Sequence, residues 1–167
     1  MSLKVAIFED NMLLREMMFQ LINGTNGYEC TGAFPDANNV IQKIRKSMPD
    51  VVLMDIEMPG IDGIEATRKI KEHFPSILVV MQTAYEDDDK IFDAISVGAS
   101  GYLVKNIAPV KLLEAIAEVN AGGSPMSPSV ARKVLEMFSV FKQQSSKEEF
   151  DLSEREKEVL KLLVKRY

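Results

Sequence analysis

The hydrophobic and polar positions of residues 1–120 follow two alternating periods along the chain. Short apolar runs rich in β-branched residues, which are typical of strands, are followed by stretches with apolar residues at helical spacing. This strand-then-helix pattern occurs five times. The predicted strands are Leu3–Phe8, Tyr28–Ala33, Val51–Met54, Ile77–Gln82 and Gly101–Val104. The predicted helices are Met12–Ile22, Asp36–Ser47, Asp62–Phe74, Glu86–Val97 and Pro109–Asn120.

Five strand–helix repeats joined by short loops predict the fold class. The run Val51–Met54 is apolar throughout, as expected of a parallel strand that is covered on both faces. No glycine-rich dinucleotide-binding motif follows the first strand, and a dinucleotide-binding fold would also need further strands. We therefore predict an α/β fold, a doubly wound five-stranded parallel sheet, with a C-terminal helical extension.

The pattern changes after the Ala-Gly-Gly sequence at residues 121–123. An amphipathic helix pattern opens at Pro128, and the polar run 143–149 is typical of a linker. The Ser-Glu-Arg-Glu sequence at 153–156 then matches a capping box that opens another helix. A lone amphipathic helix cannot bury its apolar face, so we expect the rest of its domain to lie beyond Tyr167. The predicted regions are a domain over 1–122, a helix and linker over 123–150, and the start of a second domain over 151–167.

Composition narrows the class of protein. The 167 residues are 46% hydrophobic and 27% charged, which is the balance of a globular chain and excludes wholesale disorder. The single cysteine, Cys30, cannot form an intramolecular disulfide, which favours a reducing compartment. No apolar run is long enough to span a membrane, and no signal peptide pattern opens the chain. We therefore predict a soluble, cytoplasmic protein with no membrane partner.

The net charge of −5 is unevenly distributed. Residues 1–125 carry 18 acidic and 11 basic side chains, whereas residues 126–167 carry seven acidic and nine basic ones. An acidic first domain weighs against nucleic-acid binding by that domain.

Chemically active side chains stand at the ends of four of the five predicted strands: Glu9 and Asp10, Asp55, Thr83, and Lys105. The carboxyl ends of parallel strands meet at one edge of a sheet, so we expect these groups to converge. Three converging carboxylates repel each other, and a hard divalent cation such as Mg²⁺ relieves that repulsion. The sequence therefore predicts a magnesium site with Glu9 and Asp10 as ligands.

This arrangement suits phosphoryl transfer. A carboxylate beside a metal ion can attack phosphorus and form an acyl phosphate. The transition state spreads negative charge over the phosphoryl oxygens, which a cation and a hydroxyl donor stabilise. Asp55 is the candidate nucleophile, Lys105 the candidate cation and Thr83 the candidate hydroxyl.

In this order and on these elements, the motifs resemble the receiver domains of two-component response regulators, over residues 3 to about 120. The resemblance rests on Glu9-Asp10, on the Asp-Ile-Glu-Met-Pro-Gly-Ile-Asp-Gly run at 55–63, on Thr83-Ala84, and on Tyr-Leu-Val-Lys at 102–105. It implies a flavodoxin-like (βα)5 fold and phosphorylation of Asp55 by a sensor histidine kinase. Such a protein catalyses only its own phosphotransfer and dephosphorylation, so we do not expect an enzyme in the usual sense.

The resemblance also implies roles for individual residues. Asp10, Asp55 and the backbone carbonyl of Glu57 would bind Mg²⁺, and Glu9, where the family more often has Asp, would act directly or through water. Pro59 and Gly63 would shape the loop after the third strand.

The same resemblance implies roles for five residues around the phosphoryl group. Ala84 would leave room for the phosphoryl group, and Thr83 and Tyr102 would form the switch pair. Glu57 and Tyr85 would tune the lifetime of the phosphoryl bond.

Residues 152–163 resemble the opening of a LuxR-type helix-turn-helix domain. The implied protein is a transcriptional regulator that binds DNA through its full-length output domain, and not through this chain alone. Phosphorylation would change homodimerisation or release the output domain. The alternative is a receiver whose C-terminal helix acts in dimerisation or protein interaction.

Two other classes share parts of the pattern. A phosphatase that forms an aspartyl phosphate would carry its nucleophile after the first strand, in an Asp-x-Asp motif, whereas Asp55 follows the third. A flavin-binding module would need a phosphate-binding loop after the first strand, where Glu9 and Asp10 would repel phosphate.

Overall fold

The computed structural model describes residues 2–84 and 87–145, with side chains described as far as residue 139. Within these residues, five strands and six helices follow one another. The strands are β1 (Leu3–Phe8), β2 (Tyr28–Phe34), β3 (Val51–Asp55), β4 (Leu78–Thr83) and β5 (Gly101–Val104). The helices are α1 (Met12–Asn23), α2 (Val40–Ser47), α3 (Gly63–His73), α4 (Asp88–Ser96), α5 (Pro109–Asn120) and α6 (Pro128–Ser145).

The five strands form one parallel sheet in the order β2-β1-β3-β4-β5. The predicted flavodoxin-like fold is therefore confirmed. The strand order reverses between β1 and β3, and a crevice opens at such a reversal, beyond the carboxyl ends of the strands. The fold thus creates a site where β1, β3 and their neighbours end.

The core lies on both faces of the sheet, because every residue of β3 is buried. On one face, α1 and α5 pack Ile22 and Ile116 against Ile7 and Leu53. On the other face, α3 lies against β4, where the Thr67 hydroxyl contacts the sulfur of Met81 at 3.2 Å. Each large apolar side chain buried in this way contributes roughly 1.5–3 kcal/mol.

Helix α2 begins later than the apolar spacing predicts, at Val40 instead of Asp36. Asp36 accepts a hydrogen bond from the Asn38 amide at 2.8 Å and pairs with Lys43 at 2.7 Å. Asn39 has a left-handed backbone (φ 54°), which a helix interior does not tolerate. The predicted first turn is therefore a loop, held by the hydrogen bonds of Asp36.

Helix α4, which the sequence predicts over Glu86–Val97, begins at Asp88. The Asp87 carboxylate caps it by accepting from the amides of Asp89 at 3.0 Å and Lys90 at 3.3 Å. The predicted first residue of this helix, Glu86, lies outside the described residues, as does Tyr85.

The chain divides into two compact units, residues 1–133 and 134–167. The first unit extends beyond the predicted boundary at 122 because residues 125–127 hydrogen-bond to β5. The predicted helix start at 151–167 lies outside the described residues. Among the described residues, no helix is both long enough and apolar enough to cross a membrane.

Candidate functional site

The turn after β1 presents two carboxylates at the carboxyl edge of the sheet. Glu9 is fully buried and Asp10 is exposed. Asn11 caps α1 by accepting from the Leu14 amide at 3.0 Å, and its own amide donates to Glu9 Oε1 at 3.1 Å. Arg15 Nη1 donates to the Glu9 carbonyl at 2.6 Å. These bonds fix the direction in which the two acidic residues leave the strand.

Asp55 ends β3 at the centre of the sheet and is only 1% exposed. Its Oδ1 accepts a hydrogen bond from the Glu57 amide at 3.1 Å. The start of α3 folds back closely over this residue. A Cβ at Gly63 would lie 2.0 Å from the Asp55 carbonyl oxygen, so only glycine fits there. Pro59 lies exposed in the loop between Asp55 and Gly63, where the sequence predicted a shaping residue.

Lys105, just after β5, reaches across the crevice to two of these carboxylates. Its Nζ lies 2.7 Å from Asp55 Oδ2 and 3.0 Å from both carboxylate oxygens of Glu9. The Lys105 side chain is 19% exposed, so this ion pair is largely removed from water. Charge-assisted hydrogen bonds in such surroundings hold their geometry well.

Glu9, Asp10 and Asp55 each offer a carboxylate oxygen, and these three oxygens lie within 4.8 Å of one another. The structure therefore brings together the acidic residues that the strand ends predicted. Oxygen ligands from carboxylates are those that Mg²⁺ prefers. The geometry fits a hard divalent cation.

Burial sets the electrostatics of the site. Desolvation raises the pKa of Glu9 and of Asp55 above their ordinary values, although the ammonium group of Lys105 opposes the rise. Burial alone would lower the pKa of Lys105. The hydrogen bonds and charges of Asp55 and Glu9 outweigh that effect and raise it. Two buried carboxylates thus share one ammonium group. A bound cation would reduce the repulsion between the carboxylates.

The predicted switch residues lie beside this cluster. Thr83 ends β4 and is 1% exposed, and its carbonyl accepts from the Lys105 amide at 2.7 Å. Tyr102 is 1% exposed and, one residue before Leu103 in β5, faces the side of the sheet that carries α3 and α4. Ala84 is exposed directly after β4.

One contact at the rim of the site was not predicted from the sequence. Lys90, in the first turn of α4, lies 2.5 Å from Glu57 Oε1. The pair links α4 to the loop that follows Asp55. No local sequence pattern predicts this contact, because the two residues are 33 positions apart in the chain.

Comparison with known proteins agrees with this geometry. Residues 5–117 match the response regulator receiver domain. The chain belongs to the response regulator receiver family. The predicted resemblance is confirmed at this level, and membership implies a histidine kinase as partner.

Individual relatives extend the similarity past the receiver. The chain is 34% identical to response regulator GacA of Pseudomonas syringae, over 97% of this chain and 75% of GacA. It is 31% identical to the oxygen regulatory protein NreC of Staphylococcus carnosus, over 99% of this chain and 78% of NreC. A LuxR-family two-component response regulator from Aurantimonas superposes with a TM-score of 0.77, at 31% identity over 83% of this chain and 99% of that one.

Proposed function

We propose that Asp55 is the residue phosphorylated by the partner histidine kinase, in a reaction that depends on Mg²⁺. The observation that carries this proposal is the position of Lys105. Its ammonium group pairs with Asp55 and Glu9 together, beside a third carboxylate from Asp10. A buried carboxylate beside a cation and two other acidic residues is rarely needed for stability alone. Ionisable groups whose pKa is shifted by such surroundings occur most often at functional sites.

Glu9, Asp10 and Asp55 would hold the metal ion, with the Glu57 carbonyl as a further oxygen ligand. Mg²⁺ supplies charge neutralisation for the phosphoryl oxygens when it is bound. The fit rests on the close spacing of three carboxylate oxygens and on the burial of two of them.

The chemistry asked of the protein side chains is simple. An Asp55 oxygen attacks phosphorus, the bond from phosphorus to the donor breaks, and an acyl phosphate forms. Lys105, already 2.7 Å from Asp55, would pair with the transferred group, and Thr83 would donate its hydroxyl to a phosphoryl oxygen. The exposed Ala84 has a small side chain, which leaves room for that group. Glu57 and Tyr85 would tune how long the acyl phosphate survives.

We further propose that this phosphorylation controls a transcriptional regulator. Support comes from the LuxR-type sequence at 152–163 and from the length of the match to GacA, which continues past the receiver. Thr83 and Tyr102 would relay the signal to a DNA-binding output domain. If residues 152–163 do not open such a domain, the C-terminal helix would serve dimerisation or protein interaction instead.

Labelling with a small phosphodonor tests the assignment of Asp55. Acetyl phosphate with Mg²⁺ should label the wild-type chain and the Asp93→Asn variant, which changes an exposed aspartate on α4. Asp55→Asn should carry no label. Persistent labelling of Asp55→Asn would contradict the assignment.

A further inference from the structure

One edge of β5 pairs with β4, and a segment of the same chain covers the other edge. This segment, residues 125–133, is called the C-terminal strap below. The Tyr102 amide donates to the Pro125 carbonyl at 2.9 Å, and the Ser127 amide donates back to the Tyr102 carbonyl at 3.2 Å. The Val104 amide donates to Ser127 Oγ at 3.0 Å. The strap therefore occupies the backbone groups that an edge strand otherwise presents to partners.

Residues of the strap and of β5, and those next to them, allow this close contact. A Cβ at Gly101 would lie 2.9 Å from the Pro125 carbonyl oxygen, so the absence of a side chain permits the close approach. The Ser124 hydroxyl donates to the Ser100 carbonyl at 3.0 Å. Val130, in the first turn of α6, is fully buried. The sequence thus specifies where the strap lies.

The strap also contacts the first turn of α4. Lys133 Nζ lies 2.5 Å from Asp88 Oδ1. Two residues further along the same turn, Lys90 pairs with Glu57, which follows Asp55 by two positions. The start of α4 is therefore connected to the strap on one side and to the loop after Asp55 on the other.

A second connection runs through the sheet. The Thr83 carbonyl accepts from the Lys105 amide, and Thr83 is the register partner of Val104 in the β4–β5 pair. The amide of Val104 bonds the strap at Ser127. A shift of Thr83 toward a phosphoryl group on Asp55 therefore acts on a strand whose outer edge the strap holds.

We propose that the strap is a built-in restraint on the receiver, released when Asp55 is phosphorylated. This inference rests on the proposed function of Asp55. The strap contacts β5 and Asp88 in a state in which Lys105 pairs with Asp55 and Glu9. A phosphoryl group adds negative charge and three acceptor oxygens that compete for Lys105, Thr83 and Lys90. Moving these groups displaces both anchors of the strap, β5 and the first turn of α4.

Coupling of this kind is reciprocal. If a phosphoryl mimic loosens the strap by some factor, a loosened strap must tighten binding of the mimic by the same factor. Coupling between two sites in proteins commonly amounts to roughly 5–150-fold. The C-terminal strap, which includes the first residues of α6, would thus carry the state of Asp55 toward the C-terminal part of the chain.

The test uses beryllofluoride, an acyl phosphate mimic, with Mg²⁺ and the whole 167-residue chain. Lys133→Met removes the bond to Asp88, and Lys111→Met is its control, since Lys111 is an exposed lysine that pairs along α5 with Glu114. Gly101→Ala pushes the strap away from β5 by a separate route. We expect Lys133→Met and Gly101→Ala to reach half-saturation at about fivefold lower beryllofluoride than the wild type, and Lys111→Met to match the wild type.

Hydrogen exchange gives the reciprocal measurement. By the same linkage, beryllofluoride should speed exchange of the Ser127 amide in the wild type by roughly fivefold or more. If the wild type binds the mimic and Lys133→Met binds it with unchanged affinity, the restraint is overturned while the role of Asp55 stands. If the wild type binds no better than Asp55→Asn, the proposed function itself fails, and the restraint with it.

Discussion

Lys105 Nζ lies 2.7 Å from Asp55 Oδ2 at the carboxyl edge of the sheet, and the same ammonium group holds Glu9. The two carboxylates are buried, so neither is well hydrated. This arrangement makes the lysine a structural partner of the acids as well as a candidate participant in phosphoryl transfer.

Replacing Lys105 by methionine separates these two roles. We expect a loss of about 3 kcal/mol in the free energy of unfolding at neutral pH, because two buried carboxylates lose their counter-ion. The loss should be smaller at pH 5 than at neutral pH, because the raised pKa values of Glu9 and Asp55 make both carboxylates easier to protonate as the pH falls. Labelling by acetyl phosphate should slow by roughly 100-fold.

Urea unfolding at pH 7.5 and pH 5 and a labelling time course measure these effects. Lys111→Met, which changes an exposed lysine, should resemble the wild type in both assays. A Lys105→Met variant that is labelled at the wild-type rate would remove the lysine from the chemistry.

Gly63 is predicted to be indispensable for packing. A Cβ there would lie 2.0 Å from the Asp55 carbonyl oxygen, which belongs to the backbone and cannot rotate away. We expect Gly63→Ala to lower the free energy of unfolding by about 3 kcal/mol through this overpacking. Gly122→Ala is the control, because Gly122 has a positive φ but nothing within 4 Å of its Cβ position. Backbone strain alone should cost that variant about 1 kcal/mol, and equal losses in both variants would contradict the packing argument.

Stabilisation by Mg²⁺ should increase with pH. The pKa values of Glu9 and Asp55 are raised in the folded protein, so the folded state binds their protons more tightly than the unfolded chain does. Their contribution to stability is present below their ordinary pKa values near 4 and is lost as the pH rises through the raised ones. Above that range the ionised carboxylates are a cost that Mg²⁺ offsets.

Thermal unfolding in Mg²⁺ and in EDTA checks this prediction. At a Mg²⁺ concentration 100 times its Kd, we expect about 2.7 kcal/mol of added stability at pH 7.5 and much less at pH 4.5. Asp55→Asn should lose most of the effect and Asp93→Asn none of it. A larger effect in acid would overturn the assignment of the carboxylates as ligands.

Thr83 should matter more for signalling than for labelling. Thr83→Ala removes the hydroxyl but leaves Asp55, Lys105 and the acidic cluster in place. We expect this variant to accept the phosphoryl group, within about tenfold of the wild-type rate, while its Ser127 amide no longer exchanges faster in beryllofluoride. Thr83→Ser keeps the hydroxyl and should behave as the wild type. An unchanged response in Thr83→Ala would place the coupling on another route.

Much of the fold was predictable because its patterns are local. Each strand and each helix shows its own hydrophobic period in the sequence, and β3 is apolar from Val51 to Met54 because both of its faces are covered. The convergence of Glu9, Asp55 and Lys105 was predictable because parallel strands end at one edge.

The remainder depends on contacts between distant residues. The late start of α2 follows from a left-handed Asn39, which neither composition nor spacing reveals. Two contacts arise only when separate elements pack together. They are the ion pair between Lys90 and Glu57 and the close approach of the strap to Gly101. The sequence places Gly101 in a strand but does not show which segment packs against it. The close contact with Pro125 is visible only in the structure.

The central claim is that Asp55 accepts the phosphoryl group, and peptide mapping of the modified protein tests it most directly. Wild-type chain is treated with acetyl phosphate and Mg²⁺, digested, and examined by mass spectrometry. We expect one phosphoryl group per chain, located on Asp55, and none when Mg²⁺ is removed with EDTA. A phosphoryl group located on Asp10, Glu9 or any other residue, with Asp55 unmodified, would contradict it.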